Sequence, residues 1–365
     1  MDFFCTHISQ KSIDLANQVF KTTWISEGKL VKEFEKQLSL NLGIVNPVAV
    51  NSGTSALHLA LAIAGIQSGD EVILPAQTFV ASGIVILAQG AKAIFADIDR
   101  NTGNISPQSI REKITEKTKA IMPVHWGGYP CNMDEISQIA KEFNLFVIED
   151  AAHALGAKYK NKPIGTLSRF TAFSFQAIKH VTTGDGGALA CLVDDDAKMA
   201  FNRRWFGIDR ANSKPSILGE REYDISEIGY KYHMNDLAAA IGIGNLEDFK
   251  HRLFQRKMNA AFYSLELANV PGIKLLNYNK DRESAFWLYT ILVERREDFI
   301  RKLAIEGIPA SVVHLRIDHN SIFGGIRNDL PGQAYFNEKQ VSIPVHEELT
   351  QVDINLIVNV IKSGW

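Results

Sequence analysis

In the stretch "FSFQAIKHVTTGDGGALA", residues 173–190, Lys179 stands just after a short β-like run and just before a glycine-rich loop. Lysine is a strongly hydrated cation that ordinarily points into water. Here Phe173 and Phe175 precede it, and Gly184, Gly186 and Gly187 follow, permitting tight turns and close backbone approach to a ligand. An amine so placed is a candidate nucleophile, although the stretch alone also reads as an ordinary loop lysine at a strand end. The loop has neither Walker spacing nor G-x-G-x-x-G, so it is a weak nucleotide signal in itself.

Two other stretches carry groups that would work with such an amine. In "VIEDAAHALGA" (147–157), Asp150 closes an apolar run, where a carboxylate could bind a protonated ring nitrogen. His153 follows closely and could contact a neighbouring phenolic oxygen. A strand-terminal Asp capping the next turn is the plainer alternative. In "AVNSGTSALHLAL" (49–61), Ser52 or Thr54 can cap a helix and Gly53 allows a tight turn. The N–H groups of Thr54 and Ser55 would then face a phosphate at the positive end of the helix dipole. An ordinary capped helix has the same signature. Ser174, a little before Lys179, offers a second phosphate hydroxyl. A phosphate seat, an acid for a pyridine nitrogen and a lysine amine are the minimum equipment for pyridoxal 5′-phosphate. Lysine forms the Schiff base, the ring withdraws electrons, and the acid keeps the pyridinium charged.

The elements that must position these groups follow one rhythm from residue 45 to about 195. Helical "SALHLALAIAGI" leads to the strand "DEVILPA", then "GIVILAQGA" to "KAIFADID" and on to "KAIMPVHW". "MDEISQIAKEFN" (133–144) puts Ile136, Ile139, Ala140 and Phe143 on one helical face and feeds the continuous apolar run "LFVIEDAA". This alternation means an α/β domain with a largely parallel sheet, whose ligands sit at the carboxyl ends of the strands. A long helical pattern spans 234–270, and "FWLYTILVE", "REDFIRKLAIEGI" and "VDINLIVNVIKSG" beyond it suggest a small α+β domain. The expected division is 1–250 and 251–365.

Composition narrows the class. The chain has 365 residues, 46% of them hydrophobic, ample for a sizeable core. With 39 basic against 41 acidic residues, no global basic field attracts nucleic acid. No apolar run reads as a membrane span, and "MDFFCTHISQKSID" lacks the pattern of a signal peptide. Cys5, Cys131 and Cys191 form neither a metal pattern nor a disulfide framework. The expectation is a soluble, cytoplasmic protein without a metal.

The ordered series "WISEGKLVKEFEKQL", "NSGTSALHLAL", "PAQTFVAS", "VIEDAAHALGA", "FSFQAIKHVTTGDGGALA" and "GYKYHMNDLAAAIG" resembles the nucleotide-sugar aminotransferases of the DegT/StrS type, in the fold-type-I pyridoxal-phosphate superfamily. The resemblance covers nearly the whole length. It implies that Lys179 carries the cofactor, Asp150 meets the pyridine nitrogen, and His153 lies near O3′. It also implies that Phe79 stacks on the ring and that Thr54, Ser55 and Ser174 hold the phosphate. A homodimer with shared sites is implied too, the partner supplying a phosphate ligand from "GYKYHMND". Relatives often read "GYNYR" there, with Asn in place of Lys231 and Arg in place of His233, so either residue could serve. A second departure is "ASVVHLRIDHNSIFGG" (310–325), where many relatives have a segment ending in "PLH". There His314, Arg316 and His319 could contact a sugar or its diphosphate, or simply belong to the rim, and Arg203, Arg204 and Arg210 raise the same question.

The activity implied is transfer of an amino group from an amino acid, by family analogy L-glutamate, to a keto-sugar nucleotide, through pyridoxamine 5′-phosphate. A dehydratase of the same fold is the alternative, but such enzymes typically carry His where Lys179 stands. A non-catalytic cofactor-binding regulator is the other.

Overall fold

A computed structural model describes residues 1–210 and 212–365. A seven-stranded sheet forms its centre: β1 (Pro47–Val50), β2 (Glu71–Pro75), β3 (Lys92–Ala96), β4 (Thr118–Ile121), β5 (Phe146–Asp150), β6 (Phe170–Ser174) and β7 (Gly187–Cys191). The strand order is β1-β7-β6-β5-β4-β2-β3. Every strand but β7 runs the same way, since β7 is antiparallel to both neighbours and the other pairings are parallel. The mostly parallel α/β sheet expected from the sequence is therefore present. In β5 all residues after Phe146 are buried, which accounts for its unbroken apolar run.

The helices before and around this sheet are α1 (Gln10–Thr22), α2 (Lys29–Leu42), α3 (Gly53–Ile63), α4 (Val80–Ala88), α5 (Pro107–Lys113), α6 (Met133–Glu142) and α7 (Asp194–Arg203). Their sequences explain their limits. Pro107 opens α5 with Ser106 as its cap, and α6 has Asp134 and Glu135 in its first turn and Lys141 in its last. Phe143 corrects the sequence reading: α6 ends at Glu142, so Phe143 leaves the buried face, is 41% exposed, and lies against the Arg111 guanidinium.

The pattern over 234–270 is also two helices rather than one, α8 (Asp236–Leu246) and α9 (Phe249–Leu267). The break is held by Arg252, which donates to Asn245 O at 2.7 Å and to Asp248 Oδ1 at 2.9 Å. A carbonyl that a continuous helix would bond internally is thus satisfied by a side chain. Beyond it, β8 (Ile273–Leu275), β9 (Tyr289–Val293) and β10 (Gln340–Ile343) make a three-stranded antiparallel sheet. This region also holds α10 (Arg296–Ile305), α11 (Pro331–Lys339) and α12 (Gln351–Lys362); side chains of α9, the small sheet, α10 and α12 form an apolar cluster of their own, while Phe336 of α11 and Leu292 of β9 pack with Ile98 and Trp126. Thr350 and Asp353 cap α12 reciprocally.

The register of the large sheet brings the candidate residues of the sequence together. Asp150 pairs with Ala172, and Gly187 pairs with both Ser174 and Val50. The ends of β1, β5 and β6 therefore lie at one edge, beside the start of α3.

Candidate active site

At that edge lies a cavity of about 340 Å³, lined by Ser52, Gly53, Thr54, Phe79, Asp150, His153, Ser174, Lys179, Trp287 and His314, among others. Two glycines let its floor close. A Cβ on Gly53 would sit 2.9 Å from Ser174 Cβ, and one on Gly187 would sit 2.5 Å from the Ser52 carbonyl. The start of α3 can thus rest directly on the ends of β6 and β7. Ser52 Oγ accepts from Ser55 N–H at 3.0 Å, and Ser52 O accepts from Ala56 N–H. The preceding N–H groups, of Gly53 and Thr54, keep no helical partner and border the cavity with the Thr54 and Ser174 hydroxyls. Unpartnered N–H groups at a helix start are the kind of donor a phosphate accepts from. Ser55 departs from the sequence reading. Its hydroxyl donates to Asn51 Oδ1 at 2.6 Å, and it does not line the cavity.

Asp150 is held from two sides. Its Oδ1 accepts from Ala152 N–H at 3.1 Å and its Oδ2 from Ser82 Oγ at 2.7 Å. Capping and catalysis, set against each other in the sequence, are thus compatible, because the capping oxygen belongs to a carboxylate that still lines the cavity. On the other side of the strand, Glu149 Oε2 lies 2.8 Å from His125 Nε2 and Oε1 accepts from Thr171 Oγ1 at 3.1 Å, which fixes the end of β5. His153 is buried, stacks on Trp287 with centroids 3.8 Å apart, and among the described residues has no partner for Nδ1. Burial, then the nearby Lys179 charge, holds its imidazole well below the usual range, so the ring is neutral.

Lys179 keeps some surface toward the cavity, but its amine is enclosed enough that burial pushes it down to about 7, with Asp150 opposing. The amine lies 3.6 Å from the centroid of the Trp287 ring. His314 faces the same space, 5.1 Å from Phe79 and 5.8 Å from His153, its pKa lowered to about 4 by burial and by Lys179.

The family model for DegT/DnrJ/EryC1/StrS aminotransferases matches residues 6–362. The chain belongs to that family. Its whole length superposes on AtS13 from Actinomadura melliaura, with 39% identity, 99% of that chain covered and a TM-score of 0.95. It superposes equally on the sugar aminotransferase CalS13 from Micromonospora echinospora, with 35% identity, all of both chains covered and a TM-score of 0.95. GDP-perosamine synthase from Caulobacter vibrioides is 34% identical over 358 residues, covering 94% of this chain and 93% of that protein. The protein is an aminotransferase of the fold-type-I class, and its cofactor is pyridoxal 5′-phosphate.

The residues of the cavity fit that group: free helix N–H groups for the phosphate, an anchored carboxylate, an orphaned buried His153 Nδ1 and a lysine amine depressed toward neutrality. Phe79, 53% exposed, stands at the cavity wall. Lys231 and His233 lie outside the cavity of their own chain. Lys231 Nζ sits 4.0 Å above the Trp205 ring, and His233 meets the same ring edge-on at 4.2 Å. Asn51 secures their segment by donating from its backbone to Tyr232 O at 2.7 Å and from Nδ2 to Lys231 O at 3.2 Å.

Arg316 corrects the sequence reading. It is buried in a two-pronged pair with Asp318, at 2.6 and 2.5 Å, and donates again to Arg327 O at 3.0 Å. Its Nε and Nη2 donors, the pair that would grip a diphosphate two-pronged, are committed to the fold. His319 bonds the Arg316 carbonyl through Nδ1. Arg204 pairs with Glu27 and with Glu35 of α2, Arg210 with Glu27, and Arg203 with Glu227, so these arginines too are held by carboxylates of the fold. Two groups at the site were missed from sequence. Ser82 sits on α4 and closes the motif "PAQTFVAS", where the sequence gives it no role of its own. Trp287 lies inside "FWLYTILVE", which reads as strand, yet β9 begins only at Tyr289.

Proposed function

We propose that this aminotransferase moves an amino group from an amino acid, L-glutamate, onto a keto-sugar nucleotide for amino-sugar and polysaccharide biosynthesis. The observation that carries the reading is the convergence of Lys179, Asp150, His153 and the free start of α3 on one cavity. The sugar-nucleotide half is supported by the names of the relatives, a GDP-perosamine synthase and a sugar aminotransferase. The cofactor, once bound, supplies a ring that withdraws electrons from the substrate carbon.

The chain does the rest. Gly53, Thr54 and Ser174 hold the phosphate, and the Asp150 carboxylate, fixed by Ser82 and Ala152, favours a protonated ring nitrogen. His153 Nδ1 serves the phenolic oxygen, and Phe79 covers the ring. Lys179 Nζ, close to neutral pH in its affinity for a proton, takes the proton from the donor's α-carbon and later returns one to the acceptor. His314, at the rim, is the sugar-side contact. The dehydratase alternative loses ground because His180 is buried and its Nε2 is bonded to Ala285 O at 2.8 Å, leaving Lys179 as the reactive neighbour.

The working unit is a homodimer in which the partner subunit's Lys231 or His233 completes the phosphate seat. A cofactor phosphate carries nearly two negative charges, and the cavity's own phosphate ligands are neutral donors. The exposed apolar Phe206 and Ile228 beside the Lys231 segment suit a subunit contact. Among the described residues no helix is long and apolar enough to cross a membrane. The three cysteines are unpaired, as suits a cytoplasmic protein.

The test is a panel of keto-sugar nucleotides incubated with cofactor-loaded protein and L-glutamate, read by mass spectrometry. An amino-sugar nucleotide formed together with 2-oxoglutarate supports the reading. Glutamate conversion with no sugar in the panel accepted moves the substrate to another carbonyl class.

A further inference from the structure

We propose that Trp287 is a positioning residue for Lys179, its indole N–H holding the lysine's loop and its ring face holding the lysine's amine. The inference rests on Lys179 being the reactive amine. Trp287 is 1% exposed and fixed on several sides: it stacks on His153 at 3.8 Å and on Phe4 at 5.2 Å. Its Nε1–H donates to Ile178 O at 2.9 Å, the carbonyl just before Lys179. Two residues earlier, Ala285 O lies 2.8 Å from the ring nitrogen of His180, just after Lys179. One short segment therefore grips both chain neighbours of the lysine. Arg252 adds a third hold by donating to His180 O at 2.7 Å.

The ring face supplies the second action. Among the described residues the Lys179 amine has no ion-pair partner, and it rests 3.6 Å from the indole centroid. An indole face attracts an ammonium and is indifferent to a neutral amine, so it favours the protonated form. The other groups around the amine are Asp150 at the end of β5, which also favours the cation, and Asp185 on the glycine loop, which lines the same cavity. His153, His314 and His180 all have pKa values pushed down by burial and stay neutral. Burial alone would leave the amine neutral and slow to take up a proton. The indole and Asp150 restore the charged form enough for Lys179 both to accept and to release a proton near neutral pH.

The experiment weakens the ring face without changing its size. Full-length protein freed of cofactor is prepared with tryptophans carrying increasing numbers of fluorine atoms, which drain the π face. The acylation rate of Lys179 by trace acetic anhydride is followed against pH by peptide mass spectrometry. The Lys179 midpoint should fall stepwise with fluorination, by roughly one unit over the series. A second arm uses Trp287→Phe, which keeps a ring and deletes the N–H, and should raise amide hydrogen exchange across 178–180. A midpoint unmoved by fluorination overturns the role of the ring face, and unchanged exchange in Trp287→Phe overturns the role of the N–H. Neither arm depends on turnover, so either failure leaves the aminotransferase reading to its own test.

Discussion

Replacing Asp150 with asparagine removes a charge while keeping the side chain's shape, and the structure sets what should follow. Oδ1 accepts from Ala152 N–H, so the amide oxygen of the variant must stay on that side, or two donors would face each other. Its amino group then meets Ser82 Oγ, which can turn to accept it and donate instead to Thr78 Oγ1, 2.7 Å away. The fold exchanges one charged hydrogen bond for neutral ones, at about 1 kcal/mol. The chemistry loses more: a charge-assisted contact to the ring nitrogen, and the positive ring charge that contact maintains. Together these are about 3 kcal/mol, which lowers kcat by roughly two orders of magnitude. The assay is kcat from 2-oxoglutarate formation with saturating cofactor, alongside the thermal midpoint. Ser82→Ala serves as the graded control: it removes one donor to Asp150, about 1 kcal/mol, and should lower kcat roughly fivefold. If Asp150→Asn turns over within fivefold of the wild type while folded and loaded, Asp150 is a cap for Ala152 and the electronic argument is wrong.

Three further outcomes follow from the same geometry. Arg316→Ala strands the buried Asp318 carboxylate and should cost about 3 to 5 kcal/mol of stability in denaturant melts, with KM for the sugar nucleotide unchanged in the folded fraction; a selective rise in KM would return Arg316 to substrate binding. The Lys179 amine has a folded pKa near 7 and an unfolded one near 10.5, so between those values the unfolded chain binds more protons and stability rises with pH. Cofactor-free Lys179→Met should lack that rise, measured as the difference between the two proteins' urea melts from pH 7 upward, and parallel curves would refute the depressed pKa. Mixing Lys179→Ala chains with chains carrying Lys231→Ala and His233→Ala should restore up to one working site per mixed dimer. If subunit exchange is verified and no activity returns, those residues do not serve a shared site.

What the sequence made legible was local. Asp150 at the end of an apolar run, Ser52 before a helix and Lys179 between a strand and glycines are each placed by a few neighbouring residues, because strand ends and helix starts are set locally. The parallel order of the sheet follows from alternation of the same kind. Contacts across long separations were not legible. Ser82 meets Asp150 from 68 residues away, and Trp287 reaches Ile178 across 109. Arg316 shows the converse failure. Its sequence setting suggested an anion site, but Asp318, two residues on, takes its guanidinium, and only burial of the pair decides between those uses. The break between α8 and α9 was hidden for a related reason: the apolar pattern continues across it, and a side chain from α9 satisfies the carbonyl it frees.

The most direct measurement of the central claim is chemical. Purified protein loaded with pyridoxal 5′-phosphate is reduced with borohydride, digested, and mapped by mass spectrometry. The account predicts one cofactor-bearing peptide containing residues 173–190, modified at Lys179, with none formed in Lys179→Ala. A stable adduct on any other lysine, or none in a protein that still transaminates, would contradict it.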